Sequence, residues 1–176
     1  MRFKKIYVIF GKGLDCNSYL IKDKILGLID PGFGKINELK KLGVRPGQIK
    51  IIINTHSHYD HCSGNNLFRN AKIIKKKKGI ISFGETRLEI IKTPGHTADS
   101  VSLYDEKQKI LICGDLCFKK GIGRTDLGGN RKDLKKSLKK ISELDFKHLL
   151  PGHGVLGSKK SVLNGIALLK KISEPV

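Results

Sequence analysis

What the chain has little of narrows the field first. No stretch of its 176 residues approaches the ~18 consecutive apolar residues that a membrane-spanning helix needs. The opening segment MRFKKIYVIFGKG has a short apolar stretch without a cleavage-site pattern. Neither a membrane protein nor an exported precursor is expected. The four cysteines, Cys16, Cys62, Cys113 and Cys117, form no Cys-x-x-Cys pair, and their scattered spacing does not suggest a disulfide framework. A reducing, cytoplasmic setting is the expectation. Aromatic residues make up only 6% of the chain, and 16 acidic residues face 35 Lys and Arg. The formal charge of +19 creates a field that attracts anionic substrates, nucleic acid or anionic lipid. It bears on partners rather than on fold. Lysine-rich segments, at 75–78 and at Lys135, Lys136, Lys139 and Lys140, read first as solvated faces.

The length suits one compact domain over 1–176, with room for one buried core and one site. Apolar, β-branched stretches at 3–10, 17–22 and 25–29 predict three antiparallel strands. Ile36, Leu39 and Leu42 share a helical face, and Gly43 supplies a stop. The run 49–53 predicts a buried strand, followed by a short helix near 65–68 and strands at 71–74, 79–83 and 87–92. Segments 100–104 and 109–113 flank a turn and predict a hairpin. A glycine-rich loop at 121–129 leads to an amphipathic helix at 131–144, with Leu134, Leu138 and Ile141 inward. A short strand at 146–150 and a terminal helix, with Ser158 as a candidate cap, complete the chain.

The polar residues collect where these strands stop. Strand 49–53 gives way to Asn54-Thr55-His56-Ser57-His58-Tyr59-Asp60-His61, strand 87–92 to Thr93-Pro94-Gly95-His96-Thr97, the hairpin to Gly114-Asp115, and the last strand to Pro151-Gly152-His153-Gly154. If His56 and His58 continue the strand, their spacing of two puts both imidazoles on one face. Asp60 and His61 add a carboxylate and another imidazole, as a second divalent ion would require. Any one of these histidines alone reads better as a structural residue, but five of the six falling in three such segments reads as a metal site. His148 is left over as structural.

Taken together, the segments Thr55-His56-x-His58-x-Asp60-His61, Thr93-Pro94-Gly95-His96-Thr97, Gly114-Asp115 and Gly152-His153 resemble the signature of the metallo-β-lactamase superfamily across nearly the whole chain. The resemblance implies an α/β fold, a four-layer αββα sandwich with metals at one edge of the facing sheets. It further implies that His56, His58 and His96 hold one metal, that Asp60, His61 and His153 hold the other, and that Asp115 bridges. Asp60, Asp115 and His153 would then be the catalytic residues. Two cations ~3.5–4 Å apart lower the pKa of a bridging water toward ~7, so no Ser or Cys nucleophile is needed. A nitrogen and oxygen ligand set without thiolate accepts zinc, iron or manganese, with zinc favoured.

Asp115-Leu116-Cys117-Phe118 followed by Gly121-Ile122-Gly123-Arg124-Thr125-Asp126-Leu127 is similar to the glyoxalase II and persulfide dioxygenase branch. That resemblance implies hydrolysis of an acyl thioester, with Arg124 as a substrate-binding or wall-ordering residue and a structural ion pair as its alternative. The chain ends about 20 residues after His153 and has no room for the C-terminal helical region of glyoxalase II, so the short hydrolases of that branch are the nearer likeness. A small anionic thioester is the expected partner. An iron-dependent persulfide dioxygenase using His56, His96 and Asp115 is the second reading. A tRNase Z-like nuclease or nucleic-acid binder ranks third, motivated by the basic charge and opposed by the scarcity of aromatics. Gly13, Asp15 and Asn17 are expected at one rim of the site by the same resemblance.

Overall fold

The computed structural model describes residues 1–75 and 78–171. Lys76 and Lys77, the middle of the lysine run at 75–78, lie outside the described residues, as do residues 172–176.

The first sheet is built in chain order from β1 (Arg2–Phe3), β2 (Ile6–Ile9), β3 (Ser18–Lys22), β4 (Leu26–Ile29), β5 (Ile51–Ile53) and β6 (Lys72–Ile74). The hairpin-linked strands β1 to β4 pair antiparallel, while β5 joins β4, and β6 joins β5, in parallel. The stretch at 3–10 makes two strands rather than one because Lys4 takes a left-handed φ of 43° and reverses the chain. The second sheet contains β7 (Gly79–Ser82), β8 (Arg87–Lys92), β9 (Val101–Asp105), β10 (Ile110–Gly114) and β13 (His148–Pro151), in the order β13-β10-β9-β8-β7. A two-stranded ribbon, β11 (Cys117–Phe118) with β12 (Gly121–Ile122), takes up the start of the segment expected to be loop.

Three apolar clusters define the layers. Tyr19, Ile21, Ile29 and Ile53 from the first sheet meet Leu88, Ile90, Leu103 and Ile112 from the second. The residues between them, Leu20, Leu28 and Ile52, point the other way and pack with Leu39 of α1 (Ile36–Lys41). On the far side of the second sheet, Leu111, Cys113 and Leu149 meet Leu134, Leu138 and Ile141 of α3 (Arg131–Ser142), and Val162 and Leu169 of α4 (Lys159–Lys171). The period-two alternation of strands buried on both faces thus yields a four-layer αββα sandwich. Each fully buried Leu or Ile contributes ~1.5–3 kcal/mol of burial, so the two sheets form a rigid base for the loops at their edge. Asn130 caps α3 by accepting from Asp133 N, and Gly43 at φ 68° follows α1 as its stop.

A polar clasp closes the edge away from the histidines. Asp23 accepts hydrogen bonds from Lys5 Nζ and Lys24 N, each at 2.8 Å, and from Thr86 N at 2.7 Å, which ties the β3–β4 turn to the β7–β8 turn. Burial works to raise the Asp23 pKa, but the Lys5 ammonium and these N–H donors outweigh it and hold the carboxyl well below its ordinary value. No helix among the described residues is long and apolar enough to cross a membrane.

Candidate metal centre

β5 ends at Ile53, and residues 54–58 leave the sheet rather than prolonging it. His56 and His58 therefore do not converge through strand alternation. They converge because the loop folds around fixed anchors: Thr55 N donates to Asp30 Oδ1 at 2.7 Å, and Thr55 O accepts from Val101 N at 2.8 Å. Asp60 and His61 then sit on a one-turn helix, α2 (Tyr59–Cys62), not in a loop. His96 follows β8, Asp115 follows β10 and His153 follows β13, so four strand ends of the two sheets deliver the cluster.

Hydrogen bonds fix which ring nitrogens face inward. Thr55 Oγ1 donates its proton to Asp30 Oδ2 at 2.7 Å, so it accepts from His56 Nδ1 at 3.1 Å. His61 Nδ1 donates to Asp30 Oδ2 at 2.9 Å, and His96 Nδ1 donates to the Arg124 carbonyl at 2.7 Å. With Nδ1 of all three rings acting as donor, each Nε2 presents a lone pair to the same space. Asp30, fully buried at φ 49°, is the centre of this arrangement.

The inward atoms form three overlapping groups. His56, His58 and His96 offer ligand atoms within 4.8 Å of one another, as do His56, His61 and Asp115, and also Asp60, His61 and His153. His58 Nδ1 lies 2.9 Å from His96 Nε2, and His153 Nε2 lies 2.9 Å from Asp60 Oδ2. Asp115 reaches both ends of the cluster: its Oδ2 is 3.6 Å from His96 Nε2 and 3.7 Å from His153 Nε2, and its Oδ1 is 3.4 Å from His61 Nε2. Gly152 makes room for this, since a Cβ there would stand 2.0 Å from Asp115 Oδ1 and 2.7 Å from the His61 ring.

Metal ions fit these residues on a direct test. His56 Nε2, His61 Nε2 and Asp115 Oδ1 are buried without any hydrogen-bond partner, and each such orphan costs ~1–3 kcal/mol. With the His56 and His61 rings neutral and their Nδ1 protons donated to Thr55 and Asp30, all three are acceptors aimed at one another, and divalent cations would satisfy them. Burial and the neighbouring His61 push the His56 pKa down to about 2, leaving it a neutral ligand, and burial lowers His96 as well. Burial also acts to lower His61, but the Asp30 charge and the Asp115 and Asp30 carboxylates beside its ring override it and drive its pKa far up. The negative field at that position calls for a positive charge. Asp115, despite burial, is held at about 2 by His61 and the other histidines.

Two braces hold the loops that carry the cluster. Asn17 donates from its backbone to Gly152 O at 2.6 Å and from Nδ2 to Pro151 O at 3.0 Å and Gly154 O at 2.9 Å, and Tyr19 Oη donates to Pro151 O at 2.6 Å. These bonds set the position of His153. Asp15 accepts from Phe33 N at 3.1 Å and pairs with the buried Lys35 ammonium, which fixes the β2–β3 loop against the segment after Asp30.

The sequence pattern of the Metallo-beta-lactamase superfamily matches residues 11–80 and 74–153, two pieces that meet at the crossover between the sheets. The chain belongs to this superfamily. A "Probable metallo-hydrolase" of Methanocaldococcus jannaschii is 36% identical over 194 aligned positions, covering 85% of the chain and 92% of the relative. A hydroxyacylglutathione hydrolase of Buchnera aphidicola is 32% identical over 158 positions, covering 79% of the chain but only 57% of that enzyme. Among solved structures, a protein crystallised in a di-iron-bound form superposes with a TM-score of 0.75 at 23% identity, over 88% of this chain and 95% of that one. At that identity the likeness carries the fold.

The remaining expected residues of this metallo-β-lactamase superfamily member are placed as follows. Arg124 is exposed, and its guanidinium is paired with Asp126 through bonds of 2.7 and 2.5 Å, while its carbonyl orients His96. Of the three residues expected at a rim, Asp15 and Asn17 are braces and Gly13 is exposed. His148 packs at a tilt against Phe3 with ring centroids 4.7 Å apart, outside the cluster. Burial raises Cys16 to about 11 and Cys117 to about 12, and pushes Cys113 well above its ordinary value, so these thiols stay protonated. Asp30 was missed in the sequence because Asp30-Pro31-Gly32 reads as a turn; an aspartate directly ending a buried strand was the available signal.

Proposed function

We propose that this chain is a dinuclear metal-dependent hydrolase that cleaves acyl thioesters. The single observation that carries this reading is the convergence of three oriented Nε2 lone pairs with Asp115, whose two oxygens reach both ends of the cluster. His56, His58 and His96 would hold one ion; Asp60, His61 and His153 would hold the second; Asp115 would contact both. Zinc is the favoured metal, and the nitrogen and oxygen donors also suit iron or manganese. When bound, such a pair supplies Lewis acidity and a water whose pKa falls toward ~7.

The protein's own part is positional. Asp30 and Thr55 hold His61 and His56 in one tautomer, so both ligands are prepaid in orientation before any substrate arrives. Asp60 and His153, each about 30% exposed at the side chain, form the side of the cluster open to solvent. Asp60 is the group we assign to orient the attacking oxygen and accept its proton, and His153 the group that steadies the charge forming on the substrate oxygen. Arg124, exposed beside His96, is available to an anionic substrate in exchange for Asp126.

The thioester bond is inferred from the hydroxyacylglutathione hydrolase likeness. Because the alignment covers 57% of that relative, the inference extends to the bond cleaved and not to the glutathione moiety. Release of free thiol from an acylglutathione and from a simple acyl thioester lacking glutathione tests it. Cleavage of at least one, lost in His56→Ala, is expected. Oxygen uptake with glutathione persulfide and no thioester cleavage would replace hydrolysis with dioxygenase chemistry.

A further inference from the structure

A cavity of about 410 Å³ lies behind the histidine loop. It shares His56 with the metal cluster, and none of the other six clustered ligands lines it. Its wall is apolar where β6 and β9 contribute Ile73, Ile74 and Val101, and the Cys62 thiol faces it from the end of α2. The polar groups around it are mostly spoken for. Asn54 and Asn65 bond to each other at 2.8 and 3.3 Å, and Asp99 accepts from Thr97 Oγ1 at 2.6 Å. Lys75, the next residue after β6, lines the cavity with no ion pair among the described residues. Lys72 and Lys78 stand close in sequence at the same crossover.

We propose that this chamber binds a small amphipathic organic acid, with its apolar body against Ile73, Ile74 and Val101 and its anionic head on Lys75. The volume falls within the ~300–1,000 Å³ typical of small-molecule pockets, and apolar walls with a few placed polar groups are the usual composition of such sites; the two charged residues of this lining are Lys75, which has no ion pair among the described residues, and Asp99, which is bonded to Thr97. Lys75 complements an anion, and the chain's net charge of +19 disfavours a second copy of it as the occupant. The lining is tied to the metal loop, since Asn54 Nδ2 donates to His61 O at 3.2 Å and Cys62 Sγ donates to Ser57 O at 3.4 Å.

Anilinonaphthalene sulfonate, an apolar body with one anionic group, serves as the probe. With the full chain we expect a saturable, one-to-one rise in its fluorescence. Cys16, Cys113 and Cys117 are at most 2% exposed, so iodoacetamide should mark Cys62 first, and saturating probe should slow that alkylation about tenfold or more. Ile73→Glu changes a position already 41% exposed and should weaken binding by about tenfold, as should Lys75→Glu. Lys139→Glu on α3, a charge reversal away from the cavity, should leave the affinity unchanged. Cys62 alkylation unaffected by saturating probe, or weakening by Lys139→Glu equal to that by Lys75→Glu, would overturn the proposal in favour of general adhesion to a basic surface.

Discussion

His56 and His61 stand with ring centroids 4.1 Å apart, and both are buried. Yet one is driven down to about 2 while the other is driven up. Burial acts on both in the same direction; the difference is Asp30, whose carboxylate bonds His61 directly and His56 only through the Thr55 hydroxyl. The cluster therefore has two unlike ends. Around His56, His58 and His96 it is built from imidazoles, whereas around Asp60, His61 and His153 it is rich in carboxylate. A dinuclear centre in this setting would have electrostatically distinct halves, and each ligand's strength would be set by what lies behind it.

The comparison is broken most completely at the residue common to both ends. Asp115→Ala should lower thioester cleavage by more than ~100-fold, since loss even of a residue behind a ligand costs ~10–100-fold, and metal analysis should show both ions reduced. Asp30→Asn comes next. It keeps the size of the side chain but removes the charge behind His61, and metal affinity should fall by ~10–100-fold with the second ion lost first, as read by competition with a chelator. Asn17→Ala should matter less: the Gly154 carbonyl and the Gly11 N–H lose their partner while Pro151 O keeps its bond from Tyr19, so stability falls by ~1–3 kcal/mol in denaturant unfolding and activity by about tenfold through His153.

How much of this was legible beforehand differs by residue. The seven clustered side chains were readable because each lies next to a strand end that the apolar runs mark, and their motifs are short. Asp30 was not, since its partners Thr55 and His61 lie 25 and 31 positions away and only the folded sheet brings them together. The layers followed from the alternation in β3 and β5, while the break at Lys4 and the β11–β12 ribbon depended on a single left-handed residue and on two-residue pairings too short to show a period. His56 and His58 reached the cluster as expected, but by a loop pinned at Thr55 instead of by strand geometry.

Two smaller effects lie outside the cluster. Asp23 is held below its ordinary value of ~3.9 in the folded protein, so its clasp contributes stability that is complete above that pH and is lost as pH falls through the lower folded value. Asp23→Asn should lower Tm by a few degrees at neutral pH and flatten the acid limb of the stability curve. Arg124→Ala should be the mildest: metal content stays unchanged, because His96 is held by the main-chain carbonyl at 124, and only KM for anionic thioesters rises.

The central claim is that both ends of the cluster hold a cation, and metal stoichiometry tests it most directly. Elemental analysis of the protein, purified without added metal and then reconstituted with zinc, should give two ions per chain in the wild type and fewer in Asp30→Asn. One ion per chain in both would contradict the two-ended account, and none in either would remove the metal centre altogether.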